Sequence, residues 1–107
     1  MTFDELWAFI QRNLRNTTIQ NWTVANNYLG DTFVITEITD RIVIVNTPNA
    51  QLLQNVAKKD FEYMHQNWNA YCNGNITRTA LCQHTRVSKY TMSILRHIET
   101  QLGIKIA

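Results

Sequence analysis

The segment DTFVITEITDRIVIVNT, residues 31–47, constrains the fold more than any other stretch of the chain. In an extended chain, Phe33, Ile35 and Glu37 point one way and Val34, Thr36 and Ile38 the other. Ile42 to Val45 is an uninterrupted β-branched run. Such side chains are stiff at Cβ and pack well on a pleated surface, so both runs read as strands. Thr39-Asp40-Arg41 separates them as a turn, and residues 32–46 form a hairpin. A lone hairpin is not stable in water, so the rest of the chain must cover it.

The flanking segments supply helices. Phe3, Leu6, Trp7, Ile10 and Leu14 recur at three- and four-residue steps, which predicts a helix over residues 3–15. Thr2 followed by Glu5 is a capping-box pattern at its start. Residues 16–31 are polar and Asn-rich, and read as a connection with at most a short strand around Trp22–Val24. TPNA at 47–50 is a turn. QLLQNV at 51–56 suits either a third antiparallel strand, the preferred reading, or a helix opened by Pro48. A helix over 59–73 presents Phe61, Met64 or His65, Trp68 and Tyr71 on one face and ends at Asn73-Gly74. A short helix follows at about 77–84 and a last one at about 87–102. The expectation is one α+β domain over residues 1–107: an N-terminal helix, a small antiparallel sheet of two or three strands and three C-terminal helices.

Charge is unevenly spread. Residues 1–74 carry seven acidic and five basic groups, whereas residues 75–107 carry Arg78, Arg86, Lys89, Arg96 and Lys105 against Glu99 alone, a net +4. Such asymmetry suits an acidic partner, nucleic acid being the commonest, and also suits two helices kept soluble by surface cations.

The basic region contains ALCQHTRVSKYTMSILRHI, residues 80–98. With Val87 as the turn-side anchor, Cys82 supplies a small residue for a helix crossing, and Leu81, Met92 and Leu95 supply apolar seats. The segment resembles helix-turn-helix DNA-binding domains. It departs from them at Arg86, where glycine is usual, and at Thr85, where an apolar residue is usual. The resemblance implies a reading helix in which Ser88, Lys89, Ser93 and Arg96 meet phosphates or base edges, with Arg78 and Arg86 holding the backbone. Tyr90, Ile94 and Ile98 add a second apolar stripe to that helix. A stripe of this kind is either core or a dimer or partner contact, and Tyr90 and Ile94 are the residues expected to make the latter. The phrase WNAYCNGNITR, through Trp68, Tyr71, Gly74, Ile76 and Arg78, resembles one in small uncharacterised proteins of bacteria and their mobile elements, which implies a bacterial or phage source and no settled activity.

The residues of catalysis are not grouped. Cys72, Cys82, His84 and His97 lack the short paired spacings of a structural zinc site, so neither metal nor cofactor is expected. Three glycines exclude a phosphate-cradling loop. No apolar run reaches the roughly 20 residues of a membrane span, and residues 1–16 lack a signal-peptide pattern, so the reading places the chain in the cytoplasm, away from membranes. Two functions lead, in this order, with an enzyme or small-ligand binder behind them. One is nucleic-acid binding, DNA before RNA, by a small regulatory or accessory homodimer. The other is a protein-interaction module without nucleic-acid binding, such as a small subunit or inhibitor of a larger enzyme, for which Tyr28, Tyr63, Tyr90 and the 16–31 segment are the contact candidates.

Overall fold

The computed structural model describes residues 1–47, 53–83 and 89–107. Helix α1 (Phe3–Asn13) opens with the expected capping box: Glu5 N–H donates to Thr2 Oγ1 at 3.2 Å, and Thr2 N–H donates to Glu5 Oε1 at 3.0 Å. The Thr2 backbone N–H, followed by the Thr2 hydroxyl, holds the Glu5 carboxyl below its ordinary pKa. Four strands follow in sequence order, β1 (Thr18–Thr23), β2 (Asn27–Ile38), β3 (Ile42–Asn46) and β4 (Leu53–Ala57), as an antiparallel meander. Helices α2 (Lys58–Cys72), α3 (Arg78–Leu81) and α4 (Lys89–Gln101) complete the α+β fold.

The sheet has one strand more than the upper expectation, and the reason lies in the asparagines. Asn16 and Asn27 take positive φ (61° and 54°), a conformation asparagine tolerates better than most residues. They turn the chain into β1 and β2. Asn21 sits where the β1–β2 register shifts, between Gln20 and Trp22. What reads as a polar connection is therefore a hairpin whose asparagines mark its turns and its irregularity. The stretch at 51–56 is strand from Leu53 onward, as preferred, while residues 48–52, with Pro48 and most of the TPNA turn, lie outside the described residues.

One sheet face makes the core. Ile19, Phe33, Ile35, Val43, Val45 and Val56 are buried there with Leu6, Ile10, Phe61, Met64, Trp68, Leu81, Met92, Ile94 and Leu95 from the helices. Ile38 joins them, although strict alternation sends it the other way. A register shift between Ile35 and Glu37 turns it inward. Helix α2 ends in a Schellman motif: Asn75 N–H donates to Ala70 O at 2.8 Å and Gly74 N–H to Tyr71 O at 3.1 Å, with Gly74 at φ +75°. His65 Nε2 lies 2.9 Å from Met1 O and 3.1 Å from Ile106 O, so its N–H ties residue 1 to the buried Ile106.

Candidate functional site

Helix α4 is the element on which the expected site stands. Thr91, Met92, Ser93, Ile94 and Leu95 are all buried, so a whole turn of the helix lies inside the protein. Ile94 is fully enclosed in the core, and Tyr90, half-buried, meets the Phe33 ring edge-on at 5.0 Å. Ile94 and Ile98 of the second apolar stripe are thus core, which leaves Ile94 no surface for the dimer or partner contact expected of it, while Tyr90 keeps part of its surface. The apolar sheet face and α2 already cover the two isoleucines.

Ser93 is also placed differently from its expected outward position. It is 1% exposed, and its hydroxyl serves the backbone. Trp22 N–H donates to Ser93 Oγ at 2.8 Å, and the hydroxyl faces the Lys89 and Trp22 carbonyls at 2.6 and 3.2 Å. β1 is an edge strand, so Ser93 satisfies groups that an edge otherwise leaves open. Arg96 lies with its guanidinium 4.9 Å from the centre of the Trp22 ring, a cation–π stack that draws it onto the protein. Lys89 Nζ sits 4.0 Å from an Asp31 carboxylate oxygen and 5.8 Å from the Tyr90 ring. Arg78 is exposed at the first position of α3. Arg86 and Ser88, with the anchor Val87 and His84, lie outside the described residues. Of the motif's other positions, Leu81, Met92 and Leu95 are buried, while Cys82, assigned to a helix crossing, is exposed.

Around α4 the polar chemistry is sparse. A cleft of about 230 Å³ is lined by Thr18, Gln20, Tyr28, Thr32, Ser93, His97 and Gln101. Burial there lowers the His97 pKa. Cys72 is half-buried, and burial, followed by the nearby Glu99, pushes its thiol up to about 11 against the pull of Arg96. Among the described residues no three His, Cys, Asp or Glu side chains gather to hold a metal ion. No helix among them is long and apolar enough to cross a membrane.

The outer face of the sheet is partly uncovered among the described residues. The strand alternation that buries one face leaves Thr32, Val34, Thr36, Ile42 and Ile44 half-buried on the other, with Leu53 60% exposed beside them. At the start of β3 this face adjoins a cleft of about 500 Å³, lined by Phe3, Ile42 and Ala57 together with Asp4, Arg41, Lys58, Lys59 and Glu62. No strand among the described residues pairs with the outer edge of β4. Lys58 N–H donates to Arg41 O at 2.8 Å, which fixes the phase of the β3–β4 ladder. Gln54 and Val56 turn their backbone groups toward β3, and those of Leu53 and Asn55, with the Ala57 N–H, point away from the sheet. One signal for this surface is legible in the sequence: residues 42–57 contain no charged side chain.

No protein-family model, curated protein or solved structure matches the chain.

Proposed function

We propose that the chain is a protein-interaction module that holds another polypeptide against the outer face of its sheet. The observation that carries this reading is the uncovered β-branched face formed by Val34, Thr36, Ile42 and Ile44, continuous with the open β4 edge. Those residues are half-buried and Leu53 beside them is exposed; a contiguous, partly exposed apolar surface suits an interaction site. An open edge beside it adds unpaired backbone groups that another strand can satisfy. The burial of residues 91–95 supports the same reading from the other side, because a helix enclosed over a full turn has little surface to insert into a groove.

The test is capture by a tagged chain, in parallel with its Ile44→Lys and Arg78→Ala variants. A polypeptide retained by the parent and by Arg78→Ala, and lost with Ile44→Lys, supports the reading. Retention indifferent to Ile44→Lys contradicts it.

Nucleic-acid binding is the second reading, favoured by the net +4 of residues 75–107 and by the exposed Arg78 and Lys105. Its mark is a duplex-DNA gel shift that weakens steeply with salt, since each phosphate neutralised releases counterions. Arg78→Ala then lowers the slope of log affinity against log salt by about one.

A further inference from the structure

We infer that the β4 edge pairs with the β4 edge of a second copy of this chain, antiparallel and two-fold symmetric about Asn55, joining two meanders into one eight-stranded sheet. This rests on the interaction reading above and names a second copy as the partner at the β4 edge, beside the apolar face.

The two edges of the sheet are treated differently. β1 is closed by α4, through Ser93 at Trp22. β4 lacks three of the devices that keep an edge solitary: its five residues, Leu-Gln-Asn-Val-Ala, include no charge and no proline, and its pairing with β3 runs without a bulge. A strand that meets its own copy antiparallel places identical residues opposite each other at the axis, so any charge at the centre would face itself. Here the centre is the neutral amide of Asn55.

The phase of the ladder selects the register. Leu53 and Asn55 direct both backbone groups outward, and Ala57 directs only its N–H outward, because its carbonyl, at the N-cap of α2, begins the helical ladder. Centred on Asn55, each Asn55 N–H meets the other copy's Asn55 carbonyl, and each Ala57 N–H meets the other copy's Leu53 carbonyl. Leu53, 60% exposed in the single chain, then stands opposite Ala57 of the second copy, apolar against apolar. The whole of β4 overlaps in this register. A register centred on Gln54 instead leaves the Ala57 N–H outside the overlap of the two β4 strands and sets Leu53 against an amide.

The experiment measures mass by light scattering across a micromolar to millimolar range, with backbone amide exchange followed by NMR at both ends. The parent is expected to approach twice the 12.5 kDa mass as concentration rises. The Asn55 and Ala57 amides should slow by at least about tenfold while that of Leu53 stays fast. Asn55→Lys should remain at monomer mass, and Thr18→Lys, at the opposite edge, should dimerise as the parent does. A parent that stays monomeric, a dimer in which Asn55 and Ala57 exchange as fast as in the monomer, or a dimer that survives Asn55→Lys overturns the inference. A monomeric parent that still captures a different polypeptide in an Ile44-dependent way overturns only this inference and leaves the interaction reading standing.

Discussion

The Ser93 hydroxyl answers a backbone N–H of β1 from inside the protein, so its loss leaves that N–H buried and unpaired. Ser93→Ala should lower stability by about 1–3 kcal/mol in urea unfolding. Thr91, on the opposite side of α4 but equally enclosed, has no hydrogen-bond partner for its Oγ1 among the described residues. Thr91→Val keeps the shape and removes the orphaned hydroxyl, so it should be neutral or stabilising in the same measurement. The two thiols should also part. Cys72, held protonated with a pKa of about 11, should resist alkylation at neutral pH until the protein unfolds, whereas the exposed Cys82 should react in the native state. Equal native rates at both positions would contradict the burial of Cys72.

At the scale of elements, Gly74 closes α2 with φ +75°, and a Cβ there meets nothing within 4 Å. Gly74→Ala should therefore cost about 1–2 kcal/mol through backbone conformation alone, read as a shift in the urea midpoint. This ending, the capping box of α1 and the β2–β3 hairpin are legible in the sequence because each is set by neighbours in the chain. The β1–β2 hairpin is less so. Its asparagines signal a polar loop until it is known that Asn16 and Asn27 hold left-handed turns and Asn21 an irregular register. The site was the least legible part. Helical spacing places Lys89, Ser93 and Arg96 on one stripe, and spacing alone cannot tell whether that stripe meets solvent or an edge strand. Trp22, 71 positions before Ser93, decides it by drawing in both the hydroxyl and the Arg96 guanidinium.

For the whole molecule, acid and alkali should act through different groups. Burial lowers the His97 pKa, so the unfolded chain takes up a proton there before the folded one does. The stability associated with neutral His97 is present above the ordinary imidazole range and is lost as pH falls through it toward the depressed folded value. On the alkaline side, burial raises the pKa of both Tyr71 and Cys72, so their contribution is present below the ordinary values and is lost as pH rises toward the folded ones. Urea midpoints should peak near neutrality, and His97→Gln should flatten the acid side alone. A parent whose acid loss persists unchanged in His97→Gln would assign that loss to other groups. Association is the other property of the whole chain. Helix α4 is committed inward, with Ser93 and Arg96 on β1 and Ile94 in the core, and the opposite sheet face remains for a partner. Hydrogen exchange of the chain saturated with the polypeptide it captures, compared with the dilute chain, tests this most directly. Protection is expected across Val34, Thr36, Ile42, Ile44 and β4, with exchange in α4 unchanged. Protection confined to α3 and α4, with the sheet untouched, would contradict it.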